Sequence, residues 1–202
     1  PVLITGESGT GKDVVTRAIH ALGSRHSYRL VKVNCAAVPG DLWESEMFGH
    51  EKGAFTGAVA RKHGKVELAD GGTLFLDEVA DIPAQIQPKF LRVLEDKCFE
   101  RIGGTSTIKV DFRLICATNR RLDQEAAEGR FREDLYYRLC VIPIHMPALR
   151  ERPDDIPLLA AHFAASYAKE MNRRVHLAPR ALELLKQQSW RGNVRELKNV
   201  IE

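Results

Sequence analysis

Val2-Leu3-Ile4-Thr5-Gly6-Glu7-Ser8-Gly9-Thr10-Gly11-Lys12 is the stretch that decides the fold. A short apolar run bounded by glycine reads as a buried strand. It leads into a Gly-x-x-x-x-Gly-Lys turn, which opens a helix. That order of strand, glycine-rich loop and helix is the context that confirms a P-loop. The glycines let backbone N–H groups turn inward around phosphate oxygens, and the helix N-terminus adds favourable dipole charge. Gly6, Glu7, Ser8, Gly9, Thr10 and Gly11 are therefore the expected cradle, and Lys12 is expected to reach the β- and γ-phosphates. Position 13 is Asp, where the general P-loop carries Ser or Thr to hold Mg²⁺. Asp13 can serve a metal through its carboxylate or through water. It is equally a favourable acid in a helix's first turn.

Outward from this loop, strand and helix patterns alternate, which argues for an α/β fold with a mainly parallel sheet flanked by helices. Strands are expected over 2–5, 30–34, 73–77, 112–118 and 141–145. The first helix is expected over 12–22, with Val14, Val15, Ala18, Ile19 and Leu22 on one stripe. A short helix over 41–48 carries an acidic N-cap. Residues 50–63 lack a period and read as a loop. A helix over 84–97 places Phe90, Leu91 and Leu94 on one face, and Pro88 leaves its first turn open. Around 147–157 prolines and charges mark a linker. Beyond it the pattern is helical over 156–171, 179–189 and from 193 onward, with Pro179 suited to a first turn. The expected division is an α/β P-loop core over 1–150, its N-terminal part missing, and a truncated α-helical lid over 151–202. The chain opens on a strand without Met and stops inside a helix-like run, so it reads as an excised fragment.

Bulk composition narrows the class. A hydrophobic fraction of 44% and a charged fraction of 28% are those of a soluble globular protein. No run approaches the length of a membrane span, so none is expected. The net charge of +3 hints only weakly at nucleic-acid affinity. Cys35, Cys98, Cys116 and Cys140 form no CxxC pair and read as reduced thiols of a cytoplasmic protein.

Two further constellations carry chemistry. Leu74-Phe75-Leu76-Asp77-Glu78 ends an apolar strand in carboxylates. The first can hold Mg²⁺ through its water ligands, and the second can orient or deprotonate an attacking water. Asn119 ends the next strand with a polar amide. Arg132 and Arg138 suit bidentate phosphate contact. Their spacing beside Glu133 and Asp134 fits a salt-bridged surface helix at least as well. Gly53-Ala54-Phe55-Thr56-Gly57-Ala58 lies between the two nucleotide motifs. Its small residues set one aromatic and one hydroxyl at the tip of a flexible loop.

Taken together these stretches resemble the central AAA+ ATPase domain of bacterial enhancer-binding proteins, the NtrC-like activators of sigma-54 RNA polymerase. The matching segments are GESGTGKD (6–13), VNCAAV (33–38), GHEKGAFTGA (49–58), GGTLFLDE (71–78), ATNR (117–120), FREDLYYRL (131–139), PALRERPDDI (147–156) and WRGNVREL (190–197). They span nearly the whole chain, and GAFTGA is close to diagnostic.

The resemblance implies an ATP-hydrolysing, Mg²⁺-dependent remodeller that works as a homo-oligomeric ring, a hexamer. It implies that Phe55 and Thr56 touch sigma-54, that Asn34 restrains Glu78, and that Asn119 is the first sensor. Arg132 and Arg138 would be trans-acting arginine fingers, Arg195 the second sensor in cis, and residues 101–104 the start of a second, pre-sensor loop. Promoter-upstream DNA would be held by a domain outside this chain, and the input signal would come from a receiver or sensor domain. Two positions depart from the family pattern: Asp13 stands for the usual Glu, and Arg191 replaces the Pro of Trp-Pro-Gly-Asn. A nucleotide-binding module without turnover would predict loss of Glu78, of a finger arginine or of the loop tip, and none is lost. A general AAA+ unfoldase or helicase loader would lack GAFTGA.

Overall fold

Parallel pairing of short apolar strands builds the centre of the protein, for which a computed structural model describes residues 1–172 and 175–202. In chain order the first elements are β1 (Val2–Thr5), α1 (Lys12–Ala21), β2 (Leu30–Asn34), α2 (Trp43–Phe48), β3 (Gly49–His50), β4 (Lys62–His63), α3 (Lys65–Leu68) and β5 (Thr73–Asp77). These are followed by α4 (Gln87–Asp96), β6 (Cys98–Phe99), β7 (Ile108–Lys109), β8 (Arg113–Thr118), α5 (Leu122–Ala127), α6 (Glu133–Leu139) and β9 (Ile142–His145). The chain then turns helical, with α7 (Asp155–Glu170), α8 (Pro179–Lys186) and α9 (Asn193–Ile201).

The main sheet has the order β2-β5-β8-β1-β9. Leu3 aligns with Cys116, Leu76 with Cys116 from the other side, and Asn34 with Asp77, all in parallel register. The chain leaves β1 toward one sheet edge and leaves β8 toward the other, so these neighbours form a switch point. Open parallel sheets take ligands at the carboxyl ends of strands beside such a point. Thr5, Asn34, Asp77 and Thr118 end their strands on that side.

The described residues divide into two compact units. One comprises Pro1–Thr5 and Asp13–Ile144, the other Gly6–Lys12 and His145–Glu202. The first has a core running from Leu3, Leu74, Leu76 and Leu114 to Trp43, Phe48, Phe90 and Leu135, all nearly inaccessible. Burying side chains of this size contributes about 1.5–3 kcal/mol each before conformational entropy is counted. The second packs Leu149, Ile156, Trp190 and Leu197 together, with Phe163 and Leu185 against them. Among the described residues no helix is long and apolar enough to cross a membrane.

Several expected boundaries move for local reasons. Helix α2 starts at Trp43, because residues 39–42 form a hydrogen-bonded turn and Leu42, not Asp41, is the N-cap. Helix α4 starts at Gln87 with Pro88 in its first turn, where a missing N–H costs nothing. The stretch 50–63 is framed by the antiparallel pair β3 and β4.

The stripe expected on α1 is not the buried one. Val14 is 65% and Leu22 89% exposed, and Ala18 is exposed as well. Lys12 and Thr16 are buried instead, and His20 bonds Thr73 through Nδ1 at 3.0 Å. Lys12, which follows directly on the glycine-rich turn, is covered although it is charged.

Candidate functional site

The carboxylate end of β5 is shaped by a backbone feature that spacing cannot reveal. Glu78 adopts left-handed φ and ψ of 51° and 52° and caps a short 3-10 turn over Val79–Asp81. Such a conformation is uncommon for a non-glycine residue and clusters at functional sites. It turns the Glu78 side chain out of the strand direction. Glu78 Oε2 accepts the backbone N–H of Asn119 at 3.2 Å, and the Glu78 N–H donates to Asp77 Oδ1 at 3.1 Å. Asp77, Glu78 and Asn119 are thus drawn together at adjacent strand ends.

Asn34 ends β2 and uses its side-chain oxygen locally. Its Oδ1 accepts from the Ala36 N–H at 3.1 Å and caps the turn Cys35–Ala37. The restraint on Glu78 here comes from the Asn119 main chain. Arg120 pairs with Asp81 at 2.6 Å beside it. Burial, then the negative charges of Asp77, Asp81 and Glu78, push the Cys35 thiol up to about 12. Cys35 is therefore a packing residue beneath these acids.

Asp13 is committed to ion pairs with Lys32, at 2.6 Å, and with Arg17. Partial burial pushes its pKa up, but the bonds from Lys32 and Arg17 outweigh burial and hold the carboxyl below its usual range. Arg132 forks onto Asp134 at 3.0 and 2.7 Å, and Arg138 donates to the Leu94 carbonyl at 2.9 Å. Both arginines are exposed on α6 or at its start. Sequence reasoning missed what aims the first of them. Gln87 is buried, accepts the Arg132 N–H at 2.8 Å, and donates to the Ile82 carbonyl at 3.0 Å. A polar residue inside the apolar pattern of α4 was the available signal.

The hexapeptide 53–58 is pinched at its base. The Gly53 N–H donates to the Ala58 carbonyl at 2.8 Å, and Ala58 N–H to Phe55 O at 3.0 Å. Ala58 is buried, Thr56 is exposed, and Phe55 is 42% exposed. The Phe55 ring meets His50 edge-on, with centroids 4.9 Å apart, and His50 is held by Ser45 Oγ at 2.8 Å. The segment 101–104 packs on the same base: Glu51 N–H donates to Ile102 O at 3.0 Å, and Ile102 N–H to Gly49 O at 3.1 Å. Arg101, with a side chain only 11% exposed, bridges Glu51 at 2.7 Å and Glu67 at 2.6 Å. The foot of the loop is thus held by β3, β4 and the segment 101–104.

The glycine-rich loop belongs to the other unit. Lys12 Nζ folds over it and donates to the carbonyls of Gly6 at 2.8 Å and Glu7 at 3.1 Å. Gly9 has φ of +81°, and a Cβ there would lie 2.3 Å from the Gly192 carbonyl, so only glycine fits. Arg195 Nη1 donates to Ser8 Oγ at 3.0 Å. Lys12 and Arg195 therefore bring two cations to one tight turn of main-chain amides, a donor set that suits a polyphosphate.

Residues 1–145 match the sigma-54 interaction domain, and residues 150–202 the AAA+ ATPase lid domain. The DNA-binding transcriptional activator HyfR of Escherichia coli is 57% identical over 202 residues, and the Nif-specific regulatory protein of Azospirillum brasilense 55% over 201. The chain covers 30% and 32% of their lengths, about a third of these curated relatives. Among solved structures, NtrX from Brucella abortus superposes with a TM-score of 0.92 at 46% identity, covering 100% of this chain and 45% of that one. NtrX has also been solved in complex with ADP and with ATP. Hsp104 of S. cerevisiae, at 18% identity and a TM-score of 0.72, covers 99% of this chain and 38% of its own, and shares the fold.

Proposed function

The chain belongs to the sigma-54 interaction domain family of AAA+ proteins, and from that premise we propose that it hydrolyses ATP to drive Phe55 and Thr56 against sigma-54 RNA polymerase, remodelling a closed promoter complex into an open one. One observation carries the reading. The loop 53–58 holds a half-exposed aromatic and an exposed hydroxyl on a foot braced by β3, β4 and the segment 101–104. A braced foot transmits displacement, whereas an ordinary surface turn needs no such bracing.

The chemistry assigns itself to this chain's own groups. The loop Gly6–Lys12 cradles the phosphates; that NtrX has been solved in complex with ATP supports nucleotide binding in general. Lys12 neutralises the terminal phosphates, and Arg195 adds charge from the lid. Glu78 takes a proton from the attacking water as its oxygen bonds the γ-phosphorus and the bond to the β-phosphate bridge breaks. Asn119 holds Glu78 in its turned conformation. Asp77 would hold Mg²⁺, which supplies charge neutralisation along the phosphates. Asp13, engaged by Lys32 and Arg17, would at most assist through water. Arg132 and Arg138 exchange their present partners for the triphosphate of a neighbouring subunit in a six-membered ring. We place this activity in the cytoplasm, with a core over 1–150 and a lid over 151–202, and with upstream DNA held by a domain outside the chain.

Phe55→Ala and Thr56→Ala test the reading. Phosphate release should persist in both. Trapping of sigma-54 with ADP and aluminium fluoride should fail. Wild-type trapping by both variants would sink the proposal.

A further inference from the structure

An acid inside a phosphate-binding loop is a paradox of charge, and Glu7 is one. Its carboxylate takes a two-pronged contact from Arg150, Nη1 to Oε2 at 2.9 Å and Nη2 to Oε1 at 2.6 Å. Asn193 Nδ2 donates to the same Oε2 at 3.1 Å and to the Ser8 carbonyl at 3.0 Å. Asn193 Oδ1 accepts the Leu149 N–H at 2.7 Å. Asn193 is fully buried and sits at φ of +53°, a left-handed conformation that asparagine tolerates better than most residues. Two more bonds join the same partners: Val194 N–H to the Gly9 carbonyl at 3.0 Å, and Arg152 Nη2 to the Thr10 carbonyl at 2.9 Å. Each residue from Glu7 to Thr10 is thus bonded to the segment 149–195, through its main chain, its side chain or both. Arg150 and then Asn193 hold the Glu7 carboxyl at about 2, so it is ionised throughout the physiological range.

We propose that Glu7, Asn193 and Arg150 form a latch through which the helical unit sets the shape of the phosphate-binding loop, with Glu7 and Asn193 as positioning residues for the nucleotide. The inference rests on the reading that Gly6–Lys12 binds phosphate. The exposed ion pair contributes little by itself, since both partners are half in solvent. The buried amide is the centre of the latch. Removing it orphans the Leu149 N–H and frees the main chain at Ser8, and the Glu7 charge then turns on whatever anion the loop holds.

The test is a titration of the full chain with the fluorescent N-methylanthraniloyl derivative of ADP. Glu7→Ala and Asn193→Ala should each weaken binding about tenfold, the loss typical of a hydrogen-bonded charged group. Glu7→Gln should stay within about threefold of wild type, because its amide oxygen in the place of Oε2 still accepts from Asn193 Nδ2 and Arg150 Nη1, and only the exposed Nη2 contact is lost. The double variant should be scarcely weaker than either single one, as coupled residues require. Unfolding of Asn193→Ala leaves the Glu7 pair to decide, since Glu7 is half exposed. Glu7→Ala and Glu7→Gln weakening binding equally, strict additivity in the double variant, or wild-type affinity in Glu7→Ala would each overturn the latch. Lys12→Ala is the control for the underlying reading. If it binds as wild type, the phosphate loop itself is misassigned. If it loses binding while Glu7→Ala keeps it, only the latch falls.

Discussion

Gly103→Ala puts the bracing of the loop 53–58 to a quantitative test. Gly103 has φ of +71°, and a Cβ there would lie 2.7 Å from Ala54 Cβ and 3.0 Å from Ala54 Cα. The left-handed conformation costs an L-residue about 1–2 kcal/mol. Carbon atoms prefer separations of about 3.5–4.0 Å, so one side must retreat by roughly 1 Å. Held rigid, the overlap would add about 1–3 kcal/mol. The loop is the softer side, since it is exposed at Gly53, Phe55, Thr56 and Gly57. Relaxation therefore removes most of the overlap by displacing Ala54, and the conformational cost of about 1–2 kcal/mol stays behind. In a chain of this length that lowers the melting temperature by about 2–8 °C.

The displaced tip should lose sigma-54 trapping by about tenfold, the equivalent of about 1.4 kcal/mol of contact. ATP hydrolysis should be little changed, because no group assigned to hydrolysis touches Gly103. Ala54→Gly on this background deletes the clashing Cβ and leaves the left-handed strain. Trapping should then recover while the melting temperature does not. Wild-type trapping by Gly103→Ala, or a double variant no better than the single one, would refute the account.

Mixing Arg138→Ala with Glu78→Gln subunits should restore part of the hydrolysis that each lacks alone, because some interfaces then pair an intact Glu78 with an intact Arg138. An arginine finger supplies about 10³–10⁵ in rate, so the rescue is large against either background; none at any mixing ratio would place both groups in one subunit. Gln87→Leu should leave the Arg132 N–H and the Ile82 carbonyl unpaired in a buried setting, costing about 1–3 kcal/mol. Hydrolysis in that variant should fall more than nucleotide affinity does, and an unchanged ratio of the two would deny Gln87 any part in aiming Arg132.

The parallel sheet was legible because its strands announce themselves as short runs rich in Val, Leu and Ile, with glycine beside β1 and β5: β1, β2 and β5 lie where the sequence puts them. Helix edges were less legible. Leu42, not Asp41, caps α2, because a turn from Pro39 consumes the acid's position. The burial of α1 was not legible, because Lys12 and Thr16 are covered where much of the apolar stripe is not. At the site, the residue types of Glu78, Asn119, Arg132 and Arg195 were readable, but their partners were not. The left-handed turn at Glu78 is a backbone feature that residue type does not announce, and the Asn119 main-chain bond to its carboxylate and the hold of Gln87 on Arg132 are contacts between residues some 40 positions apart. Local spacing carries no information about such pairs. Arg150 and Asn193 lay inside recognised motifs, yet nothing in those motifs says that they meet Glu7.

The contact between Phe55 and His50 ties the aromatic of the loop tip to the loop's own foot. An aromatic pair of this kind stabilises by about 0.5–1.5 kcal/mol beyond the area it buries, so at most roughly 7–30% of molecules would hold the ring undocked. A partner that captures only the undocked ring binds with its affinity multiplied by that fraction, a handicap of at least about 3- to 14-fold. Any movement of β3 that draws His50 away abolishes the handicap without adding a single contact to the partner. Affinity for the target then becomes a quantity that the foot of the loop can raise or lower, and the aromatic at the tip serves as both the grip and its own restraint.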